Sequence, residues 1–299
     1  MFSSSVKPIV LAAPAKLNLF LAVTGRRADG FHDLVSLVTP VEWGDTLTIE
    51  AATDFSLTGD DPAVPSDETN LVLRAARAFA AATGWRGGAK FFLEKRIPMG
   101  AGLGGGSSNA AAALRALNTL AGNPLAPPAL AAVAAQVGSD CALFLNGGPV
   151  VMRGRGERVE PVAAEPAARL RGRRVVMFKP DFGISTPWAY ARMAAKPETY
   201  LPESQAEEQL AEWLGDNSAA AERLLFNHLE AVAFAKHLAL PTLLEELRTR
   251  FALAPRMSGS GSACFALLPE SAPVPVAAIT AAIRAAWGPS AWVVETRLV

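Results

Sequence analysis

An α+β fold in two domains is what the sequence predicts, and three observations carry that expectation. The chain has 299 residues, near twice the roughly 150 of an average domain, with one elaborate domain as the alternative. Hydrophobic residues make up 51% and charged residues 19%, which supplies a sizeable core and too little charge for a disordered chain. Stretches with strand character and stretches with helical spacing alternate in both halves, the pattern of two packed layers. The Pro-, Ala- and Arg-rich stretch Pro161 to Arg174 is the natural linker, which sets the expected domains at 1–165 and 166–299.

The elements follow in order. From Ile9 to Val23 the residues favour extended structure, and a period of two sets Lys16, Asn18 and Phe20 on one face, with Leu17, Leu19 and Leu21 on the other. A charge inside such a strand calls for a reason. Thr24 and Gly25 close it, Arg26 to Gly30 reads as a turn, and an apolar run spans Leu34 to Val41. Gly44 and Asp45 then precede a separate strand, Thr46 to Ala51. A Pro- and Asp-rich loop, Thr58 to Asp67, leads to helical spacing from Asn70 to Thr83, ended by Gly84. Ala89 to Ile97 is a strand stopped by Pro98; a glycine-rich loop follows, and a helix from Ala110 to Leu120 leaves it. Pro127 and Pro128 open the next helix, Gly138 ends it, and Asn146-Gly147-Gly148 signals a hairpin between Cys141 to Leu145 and Pro149 to Met152.

The second half restarts with a strand, Arg174 to Lys179, a loop to Thr186 and a short helix, Pro187 to Ala194. Pro197 to Asn217 is polar and acidic and reads as surface. Helices are expected at Ala221 to Lys236, Leu240 to Phe251 and Ala277 to Ala286, with strands at Ala263 to Leu268 and Ala291 to Leu298.

Whole classes of function are excluded by composition. Twenty-eight basic residues balance 28 acidic ones, so no global field draws the chain to nucleic acid or an anionic membrane, and any anion must be held by a local device. The arginines at 169, 171, 173 and 174 lack interleaved aromatics and read as a solvated linker face rather than a nucleic-acid patch. Cys141 and Cys264 lie far apart, and with three histidines in all there is no metal-ligand spacing. Met1 to Pro14 lacks the apolar core of a secretion signal, and no run is long enough to span a bilayer, so a cytoplasmic protein is expected. Oligomeric state is not readable.

The strongest local signal is the loop with five glycines and two serines between Gly100 and Ser108. Glycines admit backbone N–H groups close to a phosphate, and the helix that follows adds the positive end of its dipole. A plain tight turn demands less than this. Gly100, Gly102 and Gly105 satisfy a dinucleotide G-x-G-x-x-G, but no Asp or Glu lies between Ser107 and Ser139 to hold a ribose. A Walker loop fails because the chain has no Gly-Lys pair, and a hydrolase elbow fails because Ala110 stands where its last glycine belongs.

The run Pro98-Met99-Gly100-Ala101-Gly102-Leu103-Gly104-Gly105-Gly106-Ser107-Ser108-Asn109-Ala110-Ala111 resembles the ATP-binding loop of the GHMP small-molecule kinases. Pro14 to Leu21, Gly138-Ser139-Asp140 and Met257 to Ser262, with Gly30-Phe31-His32 as a weaker fourth, stand in that family's order from residue 14 to 268. They are similar to the branch whose acceptor is a cytidine-diphosphate-linked methylerythritol. The resemblance implies a two-domain fold, with an N-terminal β-α nucleotide-binding domain and a C-terminal ferredoxin-like domain. It also implies ATP-dependent phosphorylation of the acceptor's 2-hydroxyl, on the route to isoprenoids that bypasses mevalonate. Magnesium is expected with the nucleotide, and no protein metal cage is visible. A kinase for homoserine, mevalonate or a sugar, a catalytically silent nucleotide binder and a dinucleotide oxidoreductase are the rival readings.

Residue by residue, the resemblance makes Lys16 and Asp140 the catalytic pair, with the lysine keeping the carboxylate ionised. Alone, Lys16 reads as a solvated strand lysine and Asp140 as a turn or N-cap aspartate. Pro98 to Ser108 would hold ATP, and Ser258 to Ser262 resembles the motif that closes over it; alone, the latter is an ordinary tight loop. Asn18 shares the face of Lys16. His32 matches the base-recognising histidine, although a lone histidine is more often structural. Thr186 and Tyr190 match a base contact and a stacking partner, against a plain helix start and a core tyrosine. Phe31 stands where a tyrosine is usual, Val38 where an aromatic residue can flank the base, and Cys141-Ala142 where Val-Pro is commoner.

Overall fold

The computed structural model describes residues 7–270 and 275–299. The first six residues of the segment examined for a secretion signal therefore lie outside the described residues. Contacts group the chain into two units: the chain up to Ala15 with Trp43–Pro98 and Gly104–Gly147, and Lys16–Glu42 with Met99–Leu103 and Gly148–Val299. Strands β1 (Ile9–Arg26) and β2 (His32–Ala52) each contribute to both.

In the first unit the sheet comprises β3 (Ser56–Gly59), which runs parallel to β4 (Gly88–Glu94), and β4 is antiparallel to β2 from Thr46 opposite Glu94 to Ala52 opposite Gly88. Helix α1 (Leu71–Thr83) lies where the spacing predicts it. Its N-cap Asn70 accepts from Val72 N, and Gly84 closes it in the left-handed conformation. Its buried face is Val72, Leu73, Ala75, Ala76 and Phe79. Helices α2 (Gly105–Leu120) and α3 (Pro127–Val137) complete the layer, with Ala110 to Ala113 buried. Phe79 and Phe91 are fully buried, each worth roughly 1.5–3 kcal/mol of transfer from water.

In the second unit β5 (Val150–Gly154) pairs antiparallel with β2, Leu34 opposite Gly154, and β6 (Arg158–Pro161) pairs with β5. After the short α4 (Ala164–Ala168) come β7 (Arg174–Lys179), α5 (Thr186–Ala194), α6 (Glu203–Gly215), β8 (Phe226–Asn227), α7 (Glu230–Lys236) and α8 (Ala239–Phe251). The chain continues through β9 (Arg256–Met257), β10 (Cys264–Leu267), α9 (Val276–Trp287) and β11 (Trp292–Arg297). β8 adds parallel to β1 at Phe20 and Leu21. The antiparallel sheet β11-β7-β10-β9 sets its fourth, first, third and second strands side by side, with helices in both crossovers, which is the ferredoxin-like arrangement. Val176, Phe178, Cys264 and Ala266 of that sheet share one core with Leu240, Leu243, Leu244 and Leu247 of α8 and Ile279 and Ile283 of α9.

Several elements differ from expectation for identifiable reasons. β2 runs on through Gly44 and Asp45, because a Cβ at Gly44 would meet Ala13 O and Pro14 Cα of β1; the glycine serves close strand approach, not a turn. Ala142–Leu145 is a 3₁₀ turn rather than a hairpin arm. The polar stretch after Pro197 contains α6, which buries Ala206, Leu210 and Trp213. The single helix expected from Ala221 breaks at β8, where His228 N donates to Leu21 O at 2.8 Å and Asn227 turns its amide to other segments.

The linker stretch is packed. Arg169 stacks 3.9 Å over the Trp213 ring and donates to the carbonyls of Trp213, Asp216 and Ala219, which ends α6. Arg173 pairs with Glu222 at 2.5 Å and Arg174 with Glu295 at 2.7 Å. Arg169, Arg173 and Arg174 are thus held by partners rather than forming a solvated face, while Arg171 is exposed. Among the described residues no helix is long and apolar enough to cross a membrane.

Candidate active site

In the first unit, α2 starts inside the glycine loop, at Gly105, not at Ala110. Gly104 caps it in the left-handed region at φ 71°, a conformation in which a side chain would be strained. The first intrahelical bond is Ser108 N to Gly104 O, so the N–H groups of Gly105, Gly106 and Ser107 point off the helix end, where an anion is favoured. Ser108 Oγ is buried there without a hydrogen-bond partner, an oxygen suited to a phosphate or its counter-ion.

Asp45 anchors this helix start. It is 1% exposed, and Oδ1 accepts from Arg96 N at 2.7 Å and Ile97 N at 2.8 Å. Oδ2 accepts from Lys95 Nζ at 2.5 Å and from Asn109 Nδ2 at 2.9 Å. One carboxylate thereby ties the end of β4 to the first turns of α2. Burial lowers the Lys95 ammonium from its ordinary range, opposed by Asp45. Asp140 is half-buried in the turn closed by Cys141 N to Gly138 O. Burial pushes the adjacent Cys141 thiol up to about 11, partly opposed by a hydrogen bond from Ser107.

In the second unit, Met99 to Leu103 is held by its carbonyls. Ala101 O accepts from Ala263 N at 3.1 Å, Gly102 O from Ser258 Oγ at 3.2 Å, and Leu103 O from Lys16 N at 3.0 Å. A Cβ at Gly102 would strike the Ser258 carbonyl, so only glycine lets the two glycine-containing loops touch. Lys16 is 4% exposed and donates to Asn18 Oδ1. Asn227 Nδ2 holds the carbonyls of Met257 at 2.7 Å and Gly259 at 2.8 Å.

His32 is buried between the chain's only two tyrosines. Its ring centroid lies 4.9 Å from that of Tyr190, and Nε2 is 3.1 Å from the Tyr200 hydroxyl. Burial, with Arg26 adding, holds His32 below the ordinary imidazole range. Thr186 is the first residue of α5, 2.7 Å from the Ser260 hydroxyl, and Phe31 is exposed with Arg155 over its ring. Sequence reasoning missed Tyr200, Asp45, Ser36 and Asn227. Only for Asp45, an aspartate beside a glycine within a strand, was there any local signal.

Acid stability follows from the histidines. His228 Nδ1 accepts from Val23 N at 3.3 Å and the ring also bonds the Thr199 carbonyl, while burial lowers its pKa from 6.5. Below 6.5 the unfolded chain binds more protons than the folded one, so stability is full above that value and falls as pH drops toward the folded pKa. The thermal midpoint is expected to decline as pH is lowered through that window, and His228→Gln to flatten the decline. An unchanged slope in the variant would assign the loss to other groups.

Two family models match the chain, the GHMP kinases N terminal domain over residues 70–149 and the GHMP kinases C terminal domain over residues 204–285. The class is thus that of the GHMP kinases. Over 264 residues the sequence is 40% identical to a 4-diphosphocytidyl-2-C-methyl-D-erythritol kinase of Protochlamydia amoebophila (strain UWE25), covering 88% of this chain and 86% of the relative. A crystal structure of 4-(cytidine 5'-diphospho)-2C-methyl-D-erythritol kinase matches at 36% identity and a TM-score of 0.74, over 97% of this chain and 99% of that one. Homoserine kinase from Cytophaga hutchinsonii ATCC 33406 shares the fold at 19% identity and a TM-score of 0.70, over 100% of this chain and 97% of that one. The chain belongs to the 4-diphosphocytidyl-2-C-methyl-D-erythritol kinase family of the GHMP kinases. It is a kinase with a small-molecule acceptor, of a class that uses ATP.

Proposed function

We propose that the chain transfers the γ-phosphoryl group of ATP to the 2-hydroxyl of 4-(cytidine 5'-diphospho)-2-C-methyl-D-erythritol, a step of the mevalonate-independent route to isoprenoids. Pro98 to Ser108 hold the ATP phosphates, with the N–H groups of the α2 start as donors. Asp140 takes the proton of the acceptor hydroxyl, and Lys16 stabilises charge on the transferring group, with Asn18 beside it. Magnesium accompanies the nucleotide and neutralises charge on its phosphates when bound. Among the described residues no cluster of acidic, His or Cys side chains forms a cage, so phosphate oxygens, water and a hydroxyl such as Ser108 suit it as ligands.

The observation that carries the acceptor is His32, buried, lowered in pKa and flanked by Tyr190 and Tyr200. With Nε2 engaged by the Tyr200 hydroxyl, the neutral imidazole keeps Nδ1 for a pyrimidine edge, and aromatic faces nearby suit stacking. Phe31 and Thr186 complete the cytidine contacts in this reading. A division at 165/166 into an ATP-binding and a C-terminal domain is supported by the two family segments lying on either side of it. The buried, unpaired cysteines suit the reducing cytoplasm.

The test is ATP-dependent ADP release with the cytidylyl acceptor, homoserine, mevalonate and galactose in parallel. Turnover is expected with the first alone. His32→Ala is expected to raise the acceptor KM about 10-fold, as loss of one hydrogen bond implies, with the KM for ATP unchanged. Preference for another acceptor would refute the cytidine reading.

A further inference from the structure

We propose that Ser36 is a positioning residue for phosphoryl transfer, acting through Asn18 on Lys16; the inference rests on the role proposed above for Lys16. Ser36 lies on β2 and is fully buried. Its Oγ is 2.5 Å from the Phe20 carbonyl and 2.9 Å from the Asn18 side-chain amide. A carbonyl oxygen only accepts, so the one hydroxyl proton of Ser36 goes to Phe20. Ser36 Oγ is then an acceptor for its second partner. The Asn18 atom that faces it is therefore the amino nitrogen, and Oδ1 is turned to the Lys16 ammonium, which donates to it.

This chain of bonds fixes both ends of a buried amide. Asn18 is 7% exposed, so an amino group deprived of Ser36 has little water to turn to, and the amide must rotate to find another acceptor. Rotation would remove the oxygen against which the ammonium is set. The backbone leaves little slack elsewhere: a Cβ at Gly259 would lie 3.2 Å from Lys16 Nζ and 3.3 Å from Asn18 Oδ1, and Asn227 clamps the Gly259 carbonyl. Ser36 thus sets the register of the lysine without touching it.

Valine and threonine at position 36 are matched in shape and differ by one hydroxyl. Ser36→Val is expected to lower kcat by roughly 10²-fold, the scale of a small misplacement of a reacting group, while the KM for ATP stays unchanged. Ser36→Thr is expected to restore most of kcat. In an Asn18→Ala background, Ser36→Val is expected to cause no further loss, since the two act in one chain. Equal turnover in the valine and threonine variants, or losses that multiply in the double variant, would overturn the inference. If circular dichroism shows the valine variant unfolded, Ser36→Ala replaces it in both comparisons. Lys16→Ala is run alongside: undiminished kcat there would refute the role of Lys16 itself.

Discussion

Asp140→Asn is expected to lower kcat by about 10²–10⁴-fold, the usual contribution of a positioned proton acceptor, while ATP still binds. The substitution keeps the size of the side chain and removes its capacity to take a proton. The phosphates are assigned to other groups, the N–H donors of the α2 start and Ser108, none of which the change alters. Asp140 adjoins Cys141, whose thiol is bonded to Ser107. The turn is closed by Cys141 N donating to Gly138 O, a backbone bond that does not depend on the side chain at 140. Calorimetric ATP binding together with steady-state kinetics checks the split. Loss of ATP binding with normal turnover per bound ATP would contradict the role.

Asp45→Ala is expected to cost about 3–5 kcal/mol of stability, the range for removing one member of a buried ion pair. The carboxylate accepts from four donors. Its loss leaves the Lys95 ammonium, 7% exposed, without its counter-ion, and strands the N–H groups of Arg96 and Ile97 and the Asn109 amide. Urea unfolding of the single variant and of Asp45→Ala with Lys95→Met measures the cost, and the second change is expected to return part of it by removing the orphaned charge. A loss under about 1 kcal/mol, as for a surface pair, would show that water reaches the site.

The legible parts of the sequence were those with local causes. The helix from Asn70 to Thr83 announces its spacing and its stop at Gly84, and both are used, whereas its buried face, Val72, Leu73, Ala75, Ala76 and Phe79, is set by what packs on it. The loop around Gly104 announces itself by its density of glycines, one of which caps α2 in the left-handed region. β8 was illegible because two residues carry no period; it exists through what His228 and Asn227 bond to elsewhere. Tyr200 lies 168 residues from His32, so nothing local marks their pairing. Gly44 misled because close strand approach and turning both ask for the same residue. Among the candidate site residues, the types required by chemistry were readable and their supports were not.

The bond from Asn18 N to Ser258 Oγ joins residues 240 positions apart. During synthesis, the strand that bears Lys16 and Asn18 leaves the ribosome 240 residues ahead of the serine that bonds it. Loops that long close slowly relative to helical contacts. The glycine-loop helix can therefore settle from local contacts, whereas the lysine face acquires its final form only once Ser258 has been made. A polypeptide ended before Ser258 would carry the glycine-loop sequence without the hydroxyl that holds Asn18 N.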